Sequence, residues 1–258
     1  MDKEILDKQN YRIVKQNDLI QKTRYNLSMQ EQKIILYLIT KIKAEDTDLQ
    51  LYEFKIKDFC EVCGLDMTSG KNYSMLKDTI KKLSDKSNWV TIKNEILGEV
   101  ETLLRWIEKP YIDKKSGTIK IRLDRDMKPF LLELKEKFTV YNLYYILAMK
   151  SKYSIRLYEI LKSYEYQKSC VFEIEEFKKL LCAETYKLFG HLKEKVLDIS
   201  LREINDYGDI YTSYEIEKQG RKFHKIKFII KSKKEVKERF ETFKRIDKII
   251  NPKQKVEM

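Results

Sequence analysis

Phe172-Glu-Ile-Glu-Glu-Phe-Lys-Lys-Leu-Leu-Cys182 and Leu188-Phe-Gly-His-Leu-Lys-Glu-Lys-Val-Leu-Asp-Ile-Ser-Leu-Arg-Glu-Ile204 are followed by two alternating runs, Ile210-Tyr-Thr-Ser-Tyr-Glu-Ile216 and Phe223 to Ile230. Cys170 to Ile174 has the pattern of a short strand, and Glu175 to Cys182 that of a short amphipathic helix. Leu188, Leu192, Val196 and Ile199 recur with helical period, which sets Lys187, His191, Lys195, Asp198 and Arg202 on the opposite side. Glu217-Lys-Gln-Gly-Arg-Lys222 joins the two alternating runs, and a glycine among polar residues at such a junction signals a hairpin. Strand, helix, helix and a hairpin with a cationic tip is the order of a winged helix-turn-helix. Its second helix can enter the major groove while the wing touches phosphates. The same order also suits a small α+β domain whose lysines merely keep it soluble, so the rest of the chain has to decide.

At 258 residues and 42% apolar, the chain has material for one large domain or two ordinary ones, and only 7 Gly and 3 Pro argue against long disordered linkers. No apolar run approaches the roughly 18 residues that span a bilayer. The charged start Met1-Asp-Lys-Glu-Ile5 lacks a signal-peptide core, so the expected location is cytoplasmic, with no membrane partner. Net charge is +12, and residues 218–256 alone hold 15 Lys/Arg against 4 Asp/Glu, a net of +11. A localised basic region is the electrostatic footprint of a polyanion partner, although a lysine-rich composition can also reflect an A/T-rich genome. Anionic membrane is the weaker alternative.

The same order of elements occurs earlier. Ser28-Met-Gln-Glu31 has the form of a capping box opening a helix to about Lys43. Leu51 to Ile56 alternates as a strand; a short helix to Cys63 and a longer one from about Asn72 to Lys86 follow. Trp89 to Ile92 and Glu95 to Ile107 have strand character, and Thr118 to Leu123 is expected to pair with them. Phe54-x-Ile56-x-x-Phe59 repeats as Phe172-x-Ile174-x-x-Phe177, 118 residues on, and Leu76-Lys-Asp78 repeats as Leu192-Lys-Glu194. The fold class is therefore α+β: two tandem winged helix-turn-helix domains related by internal duplication, plus a C-terminal helix. The boundaries predicted are 1–138, 139–231 and 232–258. Asn17 to Ile20 is predicted as a strand, Asp126 to Lys137 as a helix, and Ser151 to Gln167 as the first helix of the second domain. Lys233 to Ile250 is predicted as a helix with Val236, Phe240 and Phe243 facing inward.

Catalytic chemistry finds no foothold in these residues. Gly64 to Asn72 superficially resembles a P-loop but has five residues between its glycines and Asn72 where the magnesium-binding hydroxyl should be. Two histidines, His191 and His224, cannot supply the His-x-His metal cluster of a tyrosine-dependent nickase. The single Cys60-Glu-Val-Cys63 pair has no second close pair, so no metal or other cofactor is expected. The protein is read as a non-enzyme.

Four segments together carry a resemblance. Ser28 to Ile39, Lys150-Ser-Lys-Tyr-Ser-Ile-Arg-Leu-Tyr-Glu159, Leu192 to Asn205 and Gly220-Arg-Lys-x-x-x-Ile226-x-Phe228 are similar, in order, to segments of the initiator Rep proteins of theta-replicating, iteron-type plasmids. The resemblance implies a pair of winged-helix domains whose monomer binds directly repeated origin sites in double-stranded DNA and helps open an adjacent A/T-rich duplex. It also implies recruitment of host initiator and helicase-loading proteins, and a monomer–dimer equilibrium. The dimer, joined through the first domain, would repress its own promoter at an inverted repeat. A winged-helix transcriptional repressor without initiator activity is the alternative. The resemblance does not cover the chain from about Lys233 onward.

The expected base-reading residues are Lys187, His191, Lys195 and Arg202, since Arg reads guanine in bidentate fashion and Lys reaches a guanine acceptor or a phosphate. Lys193 falls inside the apolar arc of the wheel and ranks as flanking. Arg221, Lys222 and Lys225 on the wing are expected at phosphates. Lys152 and Arg156, at a helix start, are further phosphate candidates, although Arg156 could equally pair with Glu159. Lys71, Lys77, Lys81 and Lys82 are the corresponding residues of the first domain.

Overall fold

The computed structural model describes residues 11–43, 45–62, 70–94, 98–113, 115–134 and 137–250, with backbone only at 59, 61–62, 70–73 and 91–94. Two compact units emerge, one of residues 1–19 and 30–143, the other of 20–29 and 144–258.

In the first unit β1 (Arg12–Gln16) pairs antiparallel with β7 (Phe138–Asn142), Val14 facing Val140. Asn17–Gln21, predicted extended, forms the short helix α1 instead; the strand lies just before it, where Ile13 and Lys15 are buried. Helix α2 (Met29–Ile39) is buried from Glu31 to Ile39, as its nearly continuous apolar run requires. The buried Glu31 carboxylate meets the Lys86 ammonium at 2.6 Å, which offsets the cost of removing that charge from water. Strand β2 (Leu51–Lys55), helix α3 (Ile56–Val62) and helix α4 (Gly70–Ser84) follow, with Leu76, Ile80 and Leu83 of α4 buried. The hairpin of β3 (Ser87–Asn94) and β4 (Gly98–Arg105) is a separate two-stranded ladder. Strand β6 (Thr118–Arg122), expected to join that ladder, lies between β2 and β5 (Tyr111–Asp113). Among the described residues it reaches the hairpin's continuation through the Ile107–Leu123 bridge and neighbouring backbone bonds. The reason is burial: Ile119 and Ile121 face the same core as Phe54 and Tyr52, their partners on β2. The helix predicted over 126–137 shortens to a 3-10 turn, Arg125–Met127, and α5 (Lys128–Leu131), with Pro129 tolerated in the first turn.

The second unit begins with α6 (Tyr144–Leu147) and α7 (Lys152–Ser163), whose N-cap Ser151 accepts from the Tyr153 amide. Strand β8 (Ser169–Glu173) leads into α8 (Ile174–Leu180). A long helix follows: α9 (Phe189–Leu192), a π turn at Lys193–Leu197, and α10 (Asp198–Tyr207). The wing is β9 (Ile210–Gln219) and β10 (Lys222–Ser232), in a sheet of order β8-β10-β9. Gly220 has φ +62° at the first of two turn positions, a conformation that side chains on Cβ disfavour. Helix α11 (Val236–Ile250) closes the unit. Its buried residues are Thr242, Ile246 and Ile250, whereas Val236 and Phe240, expected inside, are 74% and 44% exposed. The packed stripe is rotated because Phe243 seats on Tyr144 and Tyr145, with centroids 5.2 and 5.3 Å away.

The duplication is visible in register. Strands β2 and β8, and helices α3 and α8, begin 118 residues apart, and Phe54 and Phe172 each face an isoleucine across the ladder, Ile119 and Ile226. The first copy differs by its additional hairpin, β3–β4. In the second copy Phe172, Phe177, Phe228 and Tyr214 form one aromatic core, with Phe177 and Phe228 fully buried 5.4 Å apart. Phe177→Ala is expected to destabilise the second unit by about 3–5 kcal/mol, from lost transfer energy and the cavity left behind, read as a lower urea midpoint at unchanged m-value.

Candidate nucleic-acid interface

The long helix of the second unit owes its shape to an adjacent pair of apolar residues. Leu192, Val196, Leu197, Ser200 and Ile204 are all buried. A regular α-helix would turn Val196 and Leu197 about 100° apart, leaving one less favourably placed. The π turn at Lys193–Leu197 absorbs one extra residue and lets both face inward. One consequence is that Lys193 and Asp198, five residues apart, come within 2.8 Å of one another. Lys193, which a regular wheel places in the apolar arc, is thereby exposed. The Asp198 hydrogen bond raises its pKa, so it stays cationic. The second correction is at the other end: Leu188, taken as the start of the apolar stripe, precedes the helix and is exposed.

Of the base-reading candidates, Lys187, His191, Lys195 and Arg202 are all exposed. Lys195 bonds Glu194 at 2.7 Å, a surface pair that costs little to exchange for another anion. On the wing Arg221 and Lys222 are exposed and Lys225 is half-buried beside the bulge that falls between Phe223 and Lys225. Phe223 stacks on Phe189 with centroids 4.2 Å apart and planes at 23°, and the Lys218 ammonium lies 4.9 Å from the Phe223 ring. This stack ties the wing to the first turn of the long helix, so the two candidate contact elements share one frame.

Arg156 does not sit at this surface. It is 3% exposed, donates to the carbonyls of Ile20 and Thr23 at 2.6 and 2.8 Å and to the Tyr25 hydroxyl at 2.8 Å, and lies 4.2 Å from that ring's centroid. The Arg156 fork is thus the anchor that seats residues 20–29 on α7, a structural role that replaces the phosphate contact expected of it. Lys152 is half-buried and donates to Asn26 Oδ1 at 2.9 Å. In the first unit Lys77, Lys81 and Lys82 are exposed along α4; the Lys71 side chain, Cys63 and most of the Gly64 to Asn72 stretch lie outside the described residues. Among the described residues no three His, Cys, Asp or Glu side chains gather as a metal site, and no helix is long and apolar enough to cross a membrane.

Residues missed by pattern reading hold the helix in place. Glu203, buried on α10, accepts from the backbone amides of Lys150 and Ser151 at the start of α7. Asn205 bonds both backbone groups of Thr212 on β9. Asp209 accepts from the Tyr158 hydroxyl at 2.8 Å and Lys162 at 2.7 Å. A Cβ on Gly208 would lie 2.7 Å from the Ile204 carbonyl and 3.2 Å from the Tyr158 ring, so only glycine permits this close passage. Lys233, 3% exposed, donates to the carbonyls of Asn205 at 2.6 Å and Gly208 at 2.8 Å, capping the C-terminal end of α10 with positive charge.

A sequence profile described as Initiator Replication protein, WH1 matches residues 12–162, and one described as Initiator Rep protein, WH2 matches residues 173–230. The chain belongs to the initiator replication protein family and carries two winged-helix domains in tandem; the first match runs on to residue 162, past the break between the two compact units at 143/144. A Replication initiation protein of Escherichia coli is 26% identical over 209 residues, covering 77% of this chain and 63% of the relative. The PI protein of Escherichia coli is 26% identical over 145 residues, covering 49% and 47%. The chain thus spans about half to just under two-thirds of these relatives' lengths. Among solved structures, domains 2 and 3 of RctB align over 80% of this chain and 81% of that one, at 13% identity and a TM-score of 0.46. The WH1 domain of the MSBI1.176 replication protein aligns over 41% and 80%, at 22% and 0.32.

Burial pushes the Lys233 ammonium down to about 8, helped by the nearby Arg245 charge and resisted by Asp209, Asp206 and Glu238. The unfolded chain holds this proton to about 10.5, so the burial cost is fully present below pH 8 and is relieved as pH rises above it. The stability difference between the unmodified chain and Lys233→Met should therefore widen in favour of the former from pH 7 to pH 9.5, measured by urea denaturation.

Proposed function

We propose that this chain is a plasmid replication initiator that binds repeated sites in double-stranded origin DNA, promotes opening of the adjacent duplex and recruits host initiator and helicase-loading proteins. It works without catalysis of its own. The observation that carries this reading is the exposed long helix of the second unit, braced from behind and stacked onto a wing with Arg221 and Lys222 at its tip. That helix is suited to the major groove and the wing to the flanking phosphates. Lys187, His191, Lys195 and Arg202 are the proposed readers, joined by Lys193. Glu194 and Asp198 share the exposed surface and would accept from cytosine or reject wrong sites. Arg221, Lys222 and Lys225 supply phosphate contacts, with Lys152 at the margin. In the first unit Lys77, Lys81, Lys82 and Lys71 support through the DNA backbone.

A nuclease footprint on DNA flanking the gene tests this reading. Regularly spaced protection over direct repeats is expected, and Lys195→Ala/Arg202→Ala should abolish it, since each lost base contact costs about 1–3 kcal/mol. Diffuse, salt-sensitive coverage would sink the proposal, and protection limited to one inverted repeat at the promoter would support a pure repressor instead.

Self-association is assigned to the first unit, as an autorepressing dimer requires. On the β3–β4 hairpin Trp89 faces Leu103 across the ladder, and the two are 64% and 48% exposed. Trp89→Ser is expected to move the chain toward monomer in sedimentation velocity with unchanged circular dichroism; an unaltered distribution would place the dimer contact elsewhere.

A further inference from the structure

Helix α11 lies beyond residue 230, where the second family match ends, and the winged-helix architecture does not require it. Its attachment is nonetheless specific. Lys233, just before it, is bonded to the end of α10 and approaches Thr242 Oγ at 3.4 Å. Phe243 stacks on Tyr145 with planes at 17°, and the Tyr144 hydroxyl donates to Asp247. These contacts set Arg245 beside the C-terminal turn of α10. Its guanidinium lies 3.8 Å from Asp206, one turn beyond Arg202 on α10. Burial and the carboxylates of Asp206 and Glu203 push the Tyr207 hydroxyl pKa up, and the charges of Arg202 and Arg245 oppose them. Lys248 follows Arg245 by three residues and shares its side of α11.

We infer that α11 is an accessory DNA-contacting element, in which Arg245 and Lys248 bind duplex phosphates next to those reached from Arg202. The inference rests on the second unit's proposed DNA binding. The charge balance of α11 supports it: among the described residues no carboxylate lies within 4.0 Å of Lys237, Arg239 or Lys248, and the Arg245–Asp206 and Lys244–Glu241 pairs are long, at 3.8 and 4.0 Å. Cations on long arms without tight partners suit a polyanion, whose bound counterions they release. A bilayer surface fits less well. The apolar residues a membrane helix would insert, Phe243, Ile246 and Ile250, are already packed inward. Of the exposed apolar residues of the helix, Val236 and Phe240 lie on the far side from Arg245, which leaves Ile249 as the single one on its side.

The test is the salt dependence of full-chain binding to a duplex carrying the gene's flanking DNA. Arg245→Ala/Lys248→Ala is compared with Lys227→Ala/Lys231→Ala, which removes the same charge from exposed positions on β10. The first variant is expected to lower the log–log salt slope by about two and the affinity about tenfold at moderate salt, with protection shortened at one edge. The control should change the slope by less than half as much. An unchanged slope in the first variant, or equal losses in both, would overturn the inference while leaving the second unit's DNA binding intact. If the unmodified chain fails to bind this DNA at all, the broader functional reading falls as well. Binding to phosphatidylserine-containing vesicles that is lost in the first variant, with DNA binding unaffected, would overturn it in favour of a membrane surface.

Discussion

The second unit depends on how the end of its long helix is held. Four backbone carbonyls are left without helical partners at any helix C-terminus. Here Lys233 supplies an ammonium to two carbonyls of this segment, those of Asn205 and Gly208, from a position almost closed to water. Glu203 reaches the opposite way, to the amides opening α7, and Asn205 pins the first wing strand. Each bond joins the helix to a different element, so its exposed surface is set by polar contacts behind it. An apolar residue in place of Lys233 would leave both carbonyls unpaired, whereas the native charge carries a burial cost of its own. That balance explains how a buried lysine persists where a simpler core would suffice.

The same frame places the wing. The Phe189–Phe223 stack connects the first turn of the helix to the hairpin near its tip, at the opposite end from Lys233. Between the two anchors lies the π turn, where the helix widens to bury Val196 and Leu197 together. The cationic and acidic side chains facing outward, Lys193 and Asp198 among them, take their order from that widening. Packing inside therefore decides the pattern outside.

Much of the architecture was legible in the sequence. The two Phe-x-Ile-x-x-Phe segments announced the duplication because a strand followed directly by a helix must bury alternate residues and then every third or fourth. Leu76, Ile80 and Leu83 marked the inner face of α4 for the same reason, and the glycine at position 220 marked the hairpin. Less was legible where burial is shared between distant segments. Thr118 to Leu123 has a strand's pattern whichever neighbour it joins, and its pairing with Leu51 to Lys55 follows from a common core. Arg156 has the look of a surface cation, yet three oxygens from residues 20–25 converge on it.

By itself the sequence determined the repeated order of elements, the concentration of positive charge after residue 218 and the presence of a cationic hairpin, since these depend on local period, composition and turn chemistry. Only the tertiary structure decided which charges remain at the surface. Arg156 and Lys233 are drawn inside because clusters of carbonyl oxygens meet them there, Lys193 is turned outward by one extra residue in a helical turn, and Arg245 is set beside the long helix by the stacking of Phe243 on Tyr145. A charge's partners are brought together by the fold, and no periodicity along the chain encodes them.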